Sequence, residues 1–286
     1  MKKITATVRS ELDGVGILSF LKNELRLSVT LVKKVKYGGV FINGTNVHMR
    51  ASVHTDDVVE VHLPDEQSEA IAPIKMPLDI VYEDEYMIAI NKPSGMPTHP
   101  SKGNSLPTLA EGVMAYFAPK SFVFRSVNRL DRDTGGIVLI AKNAISAARL
   151  SDGMKRGEFK KTYLAIVDGT PSESHAVIDA PIEREAPDSI KRIVRSDGKR
   201  AVTEYTVIRA LKDGSSLCEI TLHTGRTHQI RVHMAHIGHP LVADFLYGER
   251  IEGQTYKLHA RSLSFNHPIT DERIALVSRA EFESYE

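Results

Sequence analysis

The apolar positions of this chain change period several times, and those changes divide it. Ile17, Phe20, Leu21 and Leu25 fall on one helical face, and Leu31, Val32 and Val35 form another after Ser28, a residue suited to an N-cap. Gly38-Gly39 ends that second helix. Val40-Phe41-Ile42, the Asn43-Gly44 turn and Thr45-Asn46-Val47 then predict a hairpin, and Val59, Val61 and Leu63 alternate as a further strand. From Asp65 to Pro77 the periodicity lapses in a stretch holding Asp65, Glu66, Glu69, Pro73 and Pro77, as in a linker. The expected organisation is a small helix-helix-hairpin domain over 1–64, a linker over 65–77 and a larger domain over 78–286.

In the larger domain, Leu78 to Tyr82 and Met87 to Asn91 predict a hairpin across Glu83-Asp84-Glu85. A strand over Ile137 to Ala141 precedes a helix over Ile145 to Arg156. Phe159 to Val167, Ala201 to Ala210 and Ser216 to Thr224 all fit extended chain, and a short helix after Thr227 should stop at Gly238. The fold class expected is α+β with a largely antiparallel sheet.

Composition narrows the field without deciding it. The 286 residues are 42% hydrophobic and 26% charged, the balance of a globular protein with room for two domains. Cys218, the one cysteine, lies in a strand-like run, which favours packing over redox chemistry and a reducing, cytoplasmic compartment. Met1-Lys2-Lys3 resembles the start of a signal peptide, but polar Thr5, Thr7, Arg9, Ser10 and Glu11 follow. No apolar run approaches the roughly 18 residues of a membrane span. A net charge of +1 gives no global argument for nucleic-acid binding, so that case rests on local clusters. Lys33, Lys34 and Lys36 lie mostly off the apolar stripe of their helix, as a phosphate-facing edge or as a solvated face.

Four segments carry candidate chemistry. Arg129-Leu130-Asp131-Arg132-Asp133-Thr134-Gly135-Gly136 puts two carboxylates and two guanidinium groups in a glycine-closed turn before a buried strand, either a mount for a catalytic acid or a charged surface turn. In Leu222 to His233 a strand turns through Thr224-Gly225 into a helix start. Arg226 at that corner suits a buried carboxylate, a phosphate or a surface ion pair. Lys161 and Tyr163 share a strand face, an arrangement that fits a stacked base and its phosphate as well as an ordinary half-buried tyrosine. Asn91-Lys92-Pro93-Ser94-Gly95-Met96-Pro97-Thr98-His99-Pro100 is a stiff loop that frames a cleft or crosses the surface. His223, His228, His233, His236 and His239 crowd one region, but without metal-site spacing, and no Gly-x-Ser-x-Gly elbow supports a serine hydrolase.

In this order the four segments resemble the RluA-type RNA pseudouridine synthase family, and the first 64 residues resemble the small RNA-binding domain named after ribosomal protein S-four. The resemblance implies a curved, mainly antiparallel sheet with a central cleft, and an isomerase acting on uridine in ribosomal or transfer RNA. It also implies a monomer with RNA as its partner and no cofactor, metal or membrane. By it, Asp131 is the catalytic aspartate, Tyr163 stacks on the target uracil, and Arg226 pairs with Asp131 and fills the space left by base flipping. Asp133 would be a bystander. Leu258 walls the site, Arg129 and Lys161 meet the substrate, and Lys33, Lys34 and Lys36 bind RNA outside the cleft. Asp131 acts either as nucleophile or as base, and both routes stay open. Asn128 and Gly135 depart from the family pattern, in which histidine and serine are common. Two other classes compete: a non-catalytic RNA-binding or ribosome-assembly protein, and a metal-dependent hydrolase using the histidines.

Overall fold

The computed structural model describes residues 2–27, 29–63, 71–101, 105–119 and 122–286. The Ser28 cap and the first part of the expected linker, with Asp65, Glu66 and Glu69, lie outside the described residues. In the N-terminal region the sheet order is β1 (Lys2–Thr7), β4 (Val58–Leu63), β2 (Val40–Ile42) and β3 (Thr45–Asn46), all antiparallel. Helices α1 (Ile17–Asn23) and α2 (Val29–Val35) bury the apolar faces read from the sequence, with Ile17, Phe20, Leu21, Leu25, Leu31, Val32 and Val35 all in one core. Strand β1 escaped the pattern, because Lys2-Lys3-Ile4-Thr5-Ala6-Thr7 has few large apolar residues and owes its conformation to pairing with β4.

Residues 71–79 have no regular element, yet they are fastened to the region that follows them. Ile71 and Leu78 pack on its core, and Ile74 N–H donates to the Glu111 carbonyl at 3.1 Å in α3 (Leu109–Phe117). Helix α3 was not read from the sequence. Its start is fixed by a capping box between Thr108 and Glu111, and Leu109, Ala110 and Val113 enter the core.

One large sheet organises the rest. Its order is β5 (Ile80–Glu83), β6 (Met87–Lys92), β7 (Gly135–Ala141), β14 (Leu258–Asn266), β8 (Lys160–Val167), β13 (Ser216–Leu222), β12 (Val202–Ala210) and β9 (His175–Asp179), with β15 (Arg273–Val277) on β14. Every pairing is antiparallel except β7 with β14. A separate hairpin joins β10 (Ile182–Arg184) to β11 (Arg192–Val194). Helix α4 (Ala144–Lys155) follows β7, and α5 (Gln229–His236) follows β13 and stops before Gly238, whose φ is +85°.

The parallel contact between β7 and β14 explains one glycine. At Gly136, with φ +107°, a Cβ would stand 2.4 Å from the Ala260 carbonyl oxygen, so no larger residue fits where the two backbones meet. Strand β7 is buried along its whole length and anchors the turn that precedes it.

Candidate active site

Residues 130–134 form a short turn in which Thr134 N–H donates to the Asp131 carbonyl at 3.1 Å. The 92–98 loop clamps that turn through three side chains. Lys92 Nζ donates to the Arg132 carbonyl at 3.0 Å, Ser94 Oγ to the Asp133 carbonyl at 2.7 Å, and Thr98 Oγ1 to the Leu130 carbonyl at 2.8 Å. Lys92 has no solvent exposure, and its other two ammonium protons go to the carbonyls of Pro93 and Met96. Burial pushes its pKa down to about 8, with Asp133 and Asp131 pulling the other way. The stiff loop noted in the sequence therefore frames the cleft by holding the Asp131 turn. Asn128 adds a fourth tie, donating Nδ2–H to the Ile137 carbonyl and accepting Leu139 N–H through Oδ1. Its amide thus bridges two backbone groups of β7, one as donor and one as acceptor. At Gly135 a Cβ would stand 3.0 Å from His259 Nδ1, a tight approach that a larger residue makes only if that ring shifts.

The two carboxylates of the turn have separate fates. Asp133 is buried and held bidentately by Arg132, with both bonds 2.8 Å. Asp131 keeps its side chain 32% exposed, with Oδ2 3.6 Å from Arg231 Nη1 and 3.8 Å from His228 Nε2. Of the pair, Asp131 is the acid a substrate can reach.

Arg231, and not Arg226, is the arginine beside Asp131, which corrects the expected pairing. Arg226 lies just before α5, exposed, and donates Nε–H to the Arg200 carbonyl at 3.0 Å. Arg231 lies inside α5 and points into the protein. Its Nε and Nη2 each bond Asp244 at 2.7 Å, and its guanidinium sits 4.4 Å over the Tyr256 ring and 4.9 Å over that of Tyr247. Burial alone would lower the Arg231 pKa, but the Asp244 bonds, with Tyr256 and Asp131, raise it above its ordinary value. The sequence held a signal for this arrangement in Asp244, a lone acid within Leu241-Val242-Ala243-Asp244-Phe245-Leu246 that needs a buried cation.

Tyr163 belongs to the same apolar cluster as Leu130, Tyr256 and Leu258, and burial followed by the Asp131 charge raises its pKa. Leu258 opens β14 opposite Ala165, two residues before Ala260 pairs with Tyr163, so it shares the Tyr163 side of the sheet. Lys161 is half-buried close to Gly225, and burial lowers its pKa. Neither the Lys161 ammonium nor the exposed Arg129 guanidinium has a hydrogen bond or ion pair to a described residue. Lys33, Lys34 and Lys36 are exposed on α2 and just beyond it, away from this cluster.

Three of the five clustered histidines are engaged elsewhere. His223 Nε2 meets Glu204 at 2.8 Å, His239 Nδ1 the Asp168 carbonyl at 2.8 Å, and His233 joins Thr203 Oγ1 to the Ala180 carbonyl. Among the described residues no three histidine, cysteine or acidic side chains converge as metal ligands. Neighbouring Gln229 joins α5 to β12, donating Nε2–H to the Val202 carbonyl and Thr203 Oγ1 while Oε1 accepts from Thr224 and Arg226.

A clamped, half-exposed aspartate with a caged arginine and a buried tyrosine can be set against known proteins. Residues 86–236 match the family model of RNA pseudouridylate synthase. The chain belongs to the RNA pseudouridine synthase family. Among this family's members, the uncharacterized RNA pseudouridine synthase YjbO of Bacillus subtilis is 40% identical over 88% of this chain and 90% of its own. Ribosomal large subunit pseudouridine synthase D of Xanthomonas campestris is 35% identical over 84% of this chain and 77% of its own. Among solved structures, human RNA pseudouridylate synthase domain containing 1 is similar with a TM-score of 0.60 and 28% identity, over 72% of this chain and 84% of that one. Pseudouridine synthases are isomerases acting on RNA, and the present chain shares their fold, mostly sheet with few helices.

Proposed function

We propose that this protein isomerises uridine to pseudouridine in ribosomal RNA, with Asp131 as the reacting carboxylate. The observation that carries the reading is the Asp131 environment: a carboxylate open to substrate, one oxygen beside a fixed guanidinium and the Tyr163 ring nearby. The ionised carboxylate is the form that attacks the anomeric carbon or takes a ribose proton, and Arg231 stands beside it as a fixed positive charge. The bond from C1′ to N1 breaks, the uracil turns, and C1′ bonds to C5. The C5 proton leaves and N1 gains one, so the formula is unchanged and no oxidant or hydrolytic water enters.

Tyr163 stacks on a uracil turned out of its RNA, since a base inside a stack cannot reach the recessed Asp131. Leu258 supplies the apolar wall, and Arg129 and Lys161 meet flanking phosphates, their charges unmatched by described residues. The ribosomal assignment is supported by relatives named for the large ribosomal subunit. Residues 1–64 act as an S-four-like RNA-binding domain, with Lys33, Lys34 and Lys36 toward phosphate, and the enzyme works in the cytoplasm as a monomer.

The test is incubation of the protein with uridine-containing ribosomal RNA in the presence of a chelator, followed by mapping of pseudouridine. Modified positions that depend on Asp131 support the reading. RNA binding without conversion would favour a ribosome-assembly role, and conversion of transfer RNA alone would move the substrate.

A further inference from the structure

We infer that His228, oriented by Tyr247, is a positioning residue for Asp131, donating its Nε2–H to Oδ2 when RNA fills the cleft. The inference rests on the reading of Asp131 as the reacting carboxylate. Three observations outside the Asp131–Arg231 contact carry it.

The first is backbone conformation. His228 precedes α5 in the left-handed region, with φ 58° and ψ 17°, a conformation that glycine or asparagine adopts more readily. It occupies the N-cap position of the helix and makes no side-chain cap bond. Few non-glycine residues take this conformation, although histidine does so more readily than most, and capping does not explain it here; the backbone instead sets the direction in which the ring is aimed.

The second is the ring's partner. His228 Nδ1 lies 2.8 Å from the Tyr247 hydroxyl, and the two rings meet edge to face. That hydroxyl already accepts the Arg192 backbone N–H at 2.9 Å. With one lone pair of that oxygen so used and no other hydrogen-bond partner of the hydroxyl among the described residues, its own proton is assigned to His228 Nδ1. An imidazole accepting at Nδ1 carries its proton on Nε2.

The third is where Nε2 points. It stands 3.8 Å from Asp131 Oδ2, the same oxygen that faces Arg231 Nη1. At that distance no hydrogen bond is made, so a donor is aimed but not engaged. Around the ring are Asp131 from the catalytic turn, Arg231 from α5, Asp244 and Tyr247 from the following loop, and Arg192 from β11. Burial is the largest influence and lowers the pKa of His228. Asp131 and Asp244 oppose it, while Arg231 and Arg192 reinforce it. The neutral ring offers Oδ2 a hydrogen bond without adding a second full positive charge, which would weaken the carboxylate as nucleophile or base. Donation from both sides would fix which oxygen is bound and which is free to react.

The experiment uses the full chain and single-turnover conversion at saturating RNA, with RNA affinity measured separately. His228→Gly is the main variant, because glycine adopts φ 58° without strain and leaves space for a small molecule. The rate is expected to fall on the order of 10- to 100-fold, as for loss of a hydrogen bond to a charged group, while RNA affinity changes by less than about 3-fold. Added imidazole should restore part of the rate. 1-Methylimidazole has no N–H and should restore none if the donor, and not the filled space, is what matters. His228→Gln, which can present an N–H, should recover toward wild type. A His228→Gly rate within about 2-fold of wild type overturns the inference, as does equal rescue by both imidazoles, or failure of both imidazole and glutamine to restore the rate. Asp131→Asn, measured alongside, tests the underlying reading alone: an active Asp131→Asn enzyme removes that reading, whereas an inactive one beside an unaffected His228→Gly removes only the inference.

Discussion

Arg231 spends Nε and Nη2 on buried Asp244 and leaves Nη1 facing Asp131 at 3.6 Å. A guanidinium held on one side by a bidentate carboxylate, with Tyr256 and Tyr247 against its face, has little freedom to turn. The second carboxylate therefore meets a charge whose position is already set, the preorganisation that a reacting anion requires.

Arg231→Ala is expected to abolish most activity and also to cost about 3–5 kcal/mol of stability, because it strands Asp244 as an unpaired buried charge. Arg226→Ala removes an exposed side chain bonded to one backbone carbonyl and should leave stability within roughly 0.5 kcal/mol. Urea unfolding and single-turnover assays on both variants check this. If the Arg226 variant were inactive and the Arg231 variant active, the expected Arg226 pairing would return.

Asp131→Asn should lower the single-turnover rate by at least about 100-fold while keeping RNA affinity, because the amide has nearly the same shape but neither attacks nor accepts a proton effectively. Asp133→Asn should convert RNA at a rate close to wild type, since Asp133 is neutralised by Arg132 and turned away from substrate. A dead Asp133 variant beside a live Asp131 one would reverse the assignment.

Lys92 gives a pH dependence with a defined sign. In the unfolded chain its amine protonates near 10.5, whereas burial in the folded protein brings this to about 8. Between those values the unfolded state binds the extra proton, so this group makes stability rise with pH across that window, by at most about 3 kcal/mol. Activity should run the other way. A neutral amine has two protons for three carbonyls, so the clamp on the Asp131 turn loosens above pH 8. Urea titrations at both ends of the window, with Lys92→Met as reference, check the first expectation. A wild-type slope no steeper than that of Lys92→Met would reject it.

The N-terminal region has its own apolar core, and it also packs against α4. Ala144 and Ile145 of α4 pack on that core, and Arg149 Nη2 donates to the Leu25 carbonyl at 3.2 Å. Deleting residues 1–64 should leave a folded catalytic domain with a small exposed apolar patch on α4 and weaker RNA binding. Loss of phosphate contacts from Lys33, Lys34 and Lys36 would flatten the plot of log affinity against log salt by roughly 2. An unchanged slope would mean that this region only packs against the larger domain.

The sequence by itself determined the elements whose side chains follow a period. Helices α1 and α2, the alternation in β4, the buried run of β7 and the stop at Gly238 all express local geometry, and local geometry is written in neighbouring residues. The Asp131 turn was legible as a turn before a buried strand, but its segment and that of Tyr163 each fitted a plain structural reading as well, and the roles assigned to the two residues came from the family resemblance. Helix α3 and strands β9, β10, β11, β14 and β15 were not identified, because their formation depends on caps and strand partners distant in sequence. Tertiary structure alone decided which arginine faces Asp131. Arg226 and Arg231 stand five residues apart in one motif with the same charge, and only the start of α5 at Gln229, together with Asp244 brought in from the next loop, turns the second inward and leaves the first in solvent.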